Sequence, residues 1–365
     1  MDIFKIMQES DYENLIFSQD KETGLKAITC IHNTTLGPAI GGLRIWNYES
    51  EEDAITDVIR LAKGMTYKNA ACGIYAGGAK TVMMVDPEKN PKTEEMMRAF
   101  GRFVEGMNGR YLTAEDVGSS EADMDAIYQE TNFVLGTNMK PGTSGNPSPS
   151  TARGVYIGLK ATCKEKYGDD SLAGKKIVVE GLGNVGLCVC KYALEEGAEV
   201  YGTDINEKAI EKAKEAGVKI INRDELYSFD GDIYCPCALG ATVNDESIPQ
   251  FKYDIVAGSA NNQLAEERHG DILKEKGILY APDFIINAGG VIHCHDELYG
   301  GFNRERMQVK VDQIYDQLLK VYEIAKKENI STNKAANRYA EDRIRKVLGT
   351  KKIFNRTVKA SINPR

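Results

Sequence analysis

An α/β protein of two domains, an N-terminal α/β domain and a Rossmann-type nucleotide-binding domain with a cleft between them, is predicted from three observations. The chain has 365 residues, it mixes helical and strand-like apolar periodicities, and a glycine-rich turn joins an apolar strand to a helix near its middle. Its length exceeds what one hydrophobic core usually supports, so two domains are the default. A composition of 42% hydrophobic and 27% charged residues is that of a soluble globular protein. The net charge of −8 provides no basic stripe for nucleic acid or anionic lipid and points to a small-molecule partner. Residues 1–9 carry no basic-then-apolar leader and no 18 apolar residues run together, so a cytoplasmic protein is expected. Eight scattered cysteines without a Cys-x-x-Cys pair read as free thiols of a reducing compartment.

Residues 24–32 are a strand candidate, followed by a glycine-rich stretch at 37–42. A helix is predicted from about 51 to 64, with Ala54, Val58, Leu61 and Ala62 at helical spacing, then a strand over 81–85 stopped by Asp86-Pro87. A further helix over 93–107 carries Met96, Met97, Phe100 and Val104 on one stripe. Turn-formers and three of the ten prolines crowd residues 139–151, the best domain boundary. The first domain is therefore placed at 1–140 and the nucleotide domain at 145–330.

After a helix at 151–165, strand-like segments recur at 218–221, 232–235, 255–258 and 278–280, the alternation of a parallel sheet covered on both faces. A long amphipathic helix is predicted from Asn303 to about Glu328, with Val311, Ile314, Leu318, Val321 and Ile324 on its apolar face. Another runs over 332–348, and residues 332–365 are expected to pack back on the first domain, with 351–359 an intersubunit strand or a loose end.

The turn at Gly181-Leu182-Gly183-Asn184-Val185-Gly186 follows the apolar run 177–179. Its first glycine allows the tight turn, its second lets the backbone approach a pyrophosphate, and its third lets the next helix pack close, so the phosphates rest on that helix's N-terminus. The next apolar run, 199–203, ends in Asp204, 23 residues beyond Gly181. A carboxylate there accepts hydrogen bonds from a ribose 2′-OH and repels a 2′-phosphate, so NAD rather than NADP is expected.

Such a domain supplies a hydride acceptor, not a substrate site, and the chemistry is sought upstream. Lys68 and Lys80 stand in a run rich in Ala, Gly and Cys. A lysine stripped of water there drops from about 10.4 toward roughly 7–8 and becomes a base near neutral pH, and the glycines beside Lys80 would let a substrate reach it. A carboxylate from Glu115-Asp116, at the end of a strand-like segment, would hold an ammonium group and relay a proton.

In these segments, and in Gly37-Pro38-Ala39-Ile40-Gly41-Gly42-Leu43-Arg44, Gly145-Asn146-Pro147-Ser148-Pro149, Pro236-Cys237-Ala238-Leu239-Gly240, 258–264 and 287–292, the chain resembles the glutamate, leucine, phenylalanine and valine dehydrogenases, most of all their leucine branch. Nearly the whole chain takes part. The resemblance implies that Lys68 binds the substrate α-carboxylate, that Lys80 is the general base and that Asp116 assists proton transfer to and from the amino group. It places Gly42 and Asn262 beside the substrate, and Gly181, Leu182, Gly183, Asn184, Val185, Gly186, Leu187, Asp204, Arg44, Ser148, Thr151, Cys237, Ala238 and Asn262 around the cofactor. It implies homo-oligomers, octamers in the leucine branch.

Ile40 stands where the glutamate branch has a lysine for the second carboxylate, so burying glutamate would cost several kcal/mol, on the order of an unpaired buried charge. Ile40, Ala114, Val291 and Cys294 match an aliphatic pocket for leucine, valine or isoleucine. Leu43 and Ala79 depart toward the glutamate branch, and Cys294, smaller than the usual valine, widens the alternative to phenylalanine. On a strand, His293 and His295 would point the same way, but no third ligand accompanies them and no metal is expected. Cys235-Pro236-Cys237 reads as a strand end with buried thiols. The competing reading is a noncatalytic NAD-binding sensor or scaffold, against which Lys68, Lys80 and Asp116 together argue.

Overall fold

A computed structural model describes residues 1–350, so the predicted role of 351–359 falls outside the described residues. By their contacts they divide into two units, one comprising 1–146, 294–303 and 340–350, the other 147–293 and 304–339.

In the first unit, α1 (Ile3–Ser10) precedes β1 (Asn14–Asp20), β2 (Leu25–Asn33) and β3 (Ala39–Trp46), then α2 (Glu51–Ala71), β4 (Gly77–Met84), α3 (Glu94–Gly106), β5 (Tyr111–Glu115) and α4 (Glu121–Tyr128). The sheet order is β1-β2-β4-β3-β5. β1 and β4 pair antiparallel with β2, whereas β3 lies parallel to both β4 and β5.

Three expectations change here. The glycine-rich stretch at 37–42 leads at residue 39 into β3, an interior strand. The helix at 51 does not stop at Gly64 but continues to Ala71, because the face that Ala54, Val58 and Ala62 bury against the sheet is carried on by buried Thr66, Asn69, Ala70 and Ala71. The strand predicted at 81–85 starts at Gly77, so Lys80 lies in mid-strand. The glycines beside it do not open a path to substrate. A Cβ on Gly78 would overlap Thr66 of α2, and one on Gly77 would overlap the Asn33 carbonyl. Their hydrogens are what allow helix and strands to close on one another.

On the other face of this sheet Tyr111 is a buried hub. Its hydroxyl donates to the Gly41 carbonyl at 2.8 Å, while Thr81 and Thr113 lie at 3.0 and 3.1 Å; Thr81 also meets Thr29 at 2.8 Å. These bonds knit β2, β4, β3 and β5 beneath the lysine.

The second unit begins with α5 (Ser148–Tyr167) and continues through β6 (Lys176–Glu180), α6 (Asn184–Glu195), β7 (Glu199–Thr203), α7 (Glu207–Glu215), β8 (Lys219–Ile220), β9 (Ile233–Pro236), β10 (Ile255–Val256), α8 (Arg268–Glu275), β11 (Leu279–Tyr280) and α9 (Asp283–Ile286). Its six strands are all parallel, in the order β11-β10-β9-β6-β7-β8, with the reversal of strand order beside β6 that marks a Rossmann-type sheet. Tyr234, Tyr253, Val178, Val256 and Leu273 are part of its core.

α10 (Gly289–Asp296) spans the division between the units, α11 (Arg304–Asp312) and α12 (Ile314–Glu328) lie in the second, and α13 (Thr332–Thr350) starts in the second and ends in the first. The single helix predicted from Asn303 to Glu328 is thus two, separated at Gln313. Near its end α13 is tied to α2: Tyr67 donates to Glu341 at 2.9 Å, and Arg343 donates to the Asn69 and Ala70 carbonyls at 3.3 and 2.7 Å, satisfying the C-terminal carbonyls of that helix.

Tyr111→Phe removes one hydroxyl, strands the Gly41 carbonyl and takes a partner from Thr81 and Thr113. Urea unfolding should show a loss of about 1–3 kcal/mol; an unchanged midpoint would mean the hub carries no stability.

Candidate active site

Lys80 is 4% exposed on the sheet face that α2 covers, and its Nζ lies 2.8 Å from Asp116 Oδ1. Burial lowers the lysine below its ordinary value and Asp116 opposes that shift. The other Asp116 oxygen accepts from Arg44 Nε at 3.1 Å. Burial alone would raise the Asp116 carboxyl, but Lys80 and Arg44 together hold it below the usual range.

Register explains the meeting. Gly42 pairs with Ala114 on β5 and Cys30 with Lys80 on β4, so Ile40, Gly42, Ala114 and Lys80 share one face of three adjacent strands. Gly42 is a structural requirement for Asp116: a Cβ there would come to 2.8 Å from both Asp116 Cβ and the Glu115 carbonyl. Ser119 Oγ accepts from the Asp116 N–H at 2.9 Å and donates to the Leu43 carbonyl at 2.8 Å, pinning the turn behind the carboxylate to β3. Lys68 lies half-buried in the last turn of α2, where the helix dipole favours a cation. Glu297 is buried in this unit and accepts from the Gly136 and Ser144 N–H groups at 3.3 and 2.9 Å. Beside it Cys294 is half-buried, its thiol pushed up to about 12 by burial and by Glu297.

Arg44, expected near the cofactor, has its guanidinium held by two carboxylates of the first unit, Asp116 and Asp57. Asp57 had no role in the sequence. A signal for it existed: it is the one acid within the apolar stripe 54–62.

In the second unit the glycine turn has the predicted form. Gly181 has φ +93°, and a Cβ there would press Ala238 at 2.7 Å; a Cβ on Gly186 would overlap the Gly181 carbonyl. Gly183 is exposed, nothing lies within 4 Å of where its Cβ would be, and it begins α6 with no side-chain cap. The first N–H groups of that helix, on Asn184 and Val185, have no intrahelical acceptor and are fit for phosphate oxygens, whereas the Leu187 N–H already donates to the Gly183 carbonyl at 2.9 Å. Asp204 accepts from the Leu182 N–H at 2.6 Å and the Asn206 N–H at 2.8 Å, which fixes the carboxylate at the end of β7 and leaves lone pairs for ribose hydroxyls.

Asn262 stands exposed in a left-handed turn, φ +51°, its carbonyl taking the Ala241 N–H at 2.7 Å. Two residues to which the sequence assigned no part hold this loop. Buried Gln263 donates to the Gly258 and Ala260 carbonyls at 2.7 and 3.0 Å, and Asn287 donates to the Ser259 carbonyl and Asn261 at 3.0 and 2.8 Å. Thr151, one turn above Ser148 on α5, donates to the Pro147 carbonyl at 3.2 Å, and a Cβ on Gly290 would come within 2.8 Å of its hydroxyl oxygen. Val291 is half-buried on α10.

His293, Cys294 and His295 lie in helix α10, not a strand, so the two imidazoles do not share a direction. His293 Nδ1 meets Ser150 Oγ at 2.8 Å, and His295 packs edge-on to Tyr299. Cys235 and Cys237 sulfurs lie 3.6 Å apart, unbonded, at the end of β9. Among the described residues one group has metal-ligating composition, Asp245, Glu266 and His269. The chemistry is against it: Arg268 bridges both acids, and His269 Nδ1 accepts the Glu266 N–H, so the ring proton is on Nε2 and no lone pair remains there for a metal. No helix among the described residues is long and apolar enough to cross a membrane.

Residues 13–133 match the family described as Glu/Leu/Phe/Val dehydrogenase, dimerisation domain, and residues 142–204 and 203–350 match Glutamate/Leucine/Phenylalanine/Valine dehydrogenase. The chain is similar to leucine dehydrogenase of Geobacillus stearothermophilus, 57% identical over 94% of each chain. To leucine dehydrogenase of Bacillus cereus it is 56% identical, over 98% of this chain and 97% of that one. Among solved structures, L-tryptophan dehydrogenase from Nostoc punctiforme superposes with a TM-score of 0.84 at 42% identity, covering 94% of this chain and 99% of that one.

The lowered Asp116 carboxyl contributes stability that is complete above the unfolded carboxylate range and is lost as pH falls through its folded value. Asp116→Asn, which leaves Lys80 and Arg44 facing an uncharged amide, should therefore cost on the order of 3 kcal/mol at pH 7. The gap from wild type should narrow on acidification, and denaturation midpoints across pH check it; a pH-independent gap would mean the carboxylate's charge is irrelevant to folding.

Proposed function

The chain belongs to the Glu/Leu/Phe/Val dehydrogenase family, and from that we propose that it catalyses the reversible oxidative deamination of leucine, valine or isoleucine to the 2-oxo acid and ammonia, with NAD as acceptor. The observation that carries the site assignment is Lys80, buried and 2.8 Å from Asp116.

Lys68 binds the α-carboxylate. A nicotinamide cofactor held by the 181–187 turn and Asp204 would supply the hydride acceptor, and loss of hydride from the substrate Cα leaves an iminium. Neutral Lys80 takes a proton from water as the water oxygen bonds to the iminium carbon, giving a carbinolamine. That proton returns to the amino nitrogen through Lys80 and Asp116. The C–N bond then breaks, its electron pair leaves with ammonia, and the hydroxyl proton passes to Lys80 as the carbonyl forms. Asn262, Ser148, Thr151, Cys237 and Ala238 are assigned to the cofactor side of the reaction, with Asn262 also beside the substrate.

Ile40, Ala114, Val291 and Cys294 are assigned to the side-chain pocket. Ile40 is 2% exposed, and no cation stands in its place to receive a second carboxylate, which disfavours glutamate. One methylene is worth only about 1–3 kcal/mol, so the three branched substrates should all be turned over. We also assign a cytoplasmic homo-oligomer, supported by the dimerisation-domain match over 13–133.

NADH absorbance measured with each of twenty amino acids should rise with leucine, valine and isoleucine and not with glutamate. If none is oxidised, a noncatalytic dinucleotide-binding role replaces this reading; phenylalanine ahead of leucine would move the specificity. Lys80→Ala should keep NAD affinity and lose roughly 10²–10⁴-fold in turnover. Asp204→Ser should weaken NAD and narrow its advantage over NADP, an assignment that fails if the preference is unmoved.

A further inference from the structure

Asp116 has two cationic partners, and they differ in one property: a lysine can lose its proton near neutral pH and an arginine cannot. When Lys80 becomes neutral to act as a base, the carboxylate 2.8 Å away loses the charge that balances it. A half-buried carboxylate left alone would bind the proton that Lys80 gives up, and the pair would settle as a neutral acid beside a neutral amine. Arg44 stands against that collapse. Its Nε donates to Asp116 Oδ2 at 3.1 Å while its Nη1 donates to Asp57 Oδ2 at 2.9 Å, so the planar guanidinium is fixed at two corners. Asp57 is fixed in turn, accepting from Tyr48 at 2.8 Å and from Arg60 at 3.2 Å.

We propose that Arg44 is a positioning residue of the reaction: seated by Asp57 and Tyr48, it fixes the orientation of Asp116 and keeps it an anion while Lys80 is neutral. The proposal rests on the dehydrogenase reading above. Asp57 has a second part, since its negative charge offsets the cation that Arg44 brings toward Lys80. The two residues therefore act on Lys80 with opposite sign, Arg44 lowering it and Asp57 raising it.

The other groups around Lys80 do not blur this. Cys30, its partner across β2, has its thiol pushed up to about 12 by burial, and burial and Asp57 keep the Tyr48 hydroxyl protonated. α2 also carries Arg60 and Lys68, and Glu115 precedes Asp116 at the end of β5. The rise in rate with pH is assigned to Lys80, which burial lowers.

The test is the pH dependence of kcat/KM for leucine deamination in the full-length protein, compared among variants with one substrate so that the substrate's own ionisation is common to all. Arg44→Gln removes a positive neighbour, so the rise in rate with pH should move to higher pH, by about half a unit or more. Asp57→Asn removes a negative neighbour and should move it to lower pH. Arg44→Lys keeps the charge but loses the two-cornered fork, and should leave the limb in place while kcat falls roughly tenfold with KM little changed.

Opposite shifts from two variants that break the same ion pair cannot come from a merely structural role. Shifts in the same direction, or a loss of rate with unmoved limbs, would overturn the proposal. Should Arg44→Gln not fold, the direction of the Asp57→Asn limb decides. An inactive wild type would instead overturn the dehydrogenase reading, and this proposal with it.

Discussion

Asp116 divides its two oxygens between a lysine and an arginine, and much of the first unit is arranged to make that division possible. The carboxylate can approach β3 because position 42 has no side chain, and Lys80 is dry because α2 closes over β4 where Gly78 leaves room for Thr66. On the reverse of the sheet, Tyr111 ties the same strands together through hydroxyls and a carbonyl. Charge on one face and a hydrogen-bonded hub on the other meet opposite needs: the first would be costly if the strands could drift, and the second limits that drift.

The second unit solves a different problem, offering backbone donors rather than side-chain charge. Gly183 leaves the start of α6 open, Asp204 is oriented by two backbone N–H groups, and the Asn262 turn is held from beneath by Gln263 and Asn287. Buried amides that can donate twice make a loop firm without adding charge to it.

Much of this was legible in the sequence, and what was not has identifiable causes. The strand, glycine turn, helix and acid from 177 to 204 read correctly because each step has its own local signature. Lys80 and Asp116 could be picked out as charges in apolar company, but their contact depends on the parallel pairing of β3 with β4 and β5, a register that no local pattern states. β3 was missed because two adjacent glycines hide the alternation of Ile40, Gly42 and Arg44 along one face. With the strand went the direction of Arg44, and with that the significance of Asp57. The His-Cys-His run misled in the opposite sense, since three residues are too few to distinguish a strand's period from a helix's.

The packing around Gly41, Gly42, Gly77 and Gly78 also sets what variation the protein can accept. A methyl group at 41 would collide with the Ala79 carbonyl, one at 42 with Asp116, and those at 77 and 78 with the Asn33 backbone and α2. Interleaved with these invariable positions are Ile40 and Ala114, whose side chains end on the same face without such a collision partner being forced on the backbone. Variation on this sheet face is thereby channelled: a side chain can be exchanged at positions such as Ile40 and Ala114, where one already stands, while the four glycines close the routes that would pass through the strands themselves.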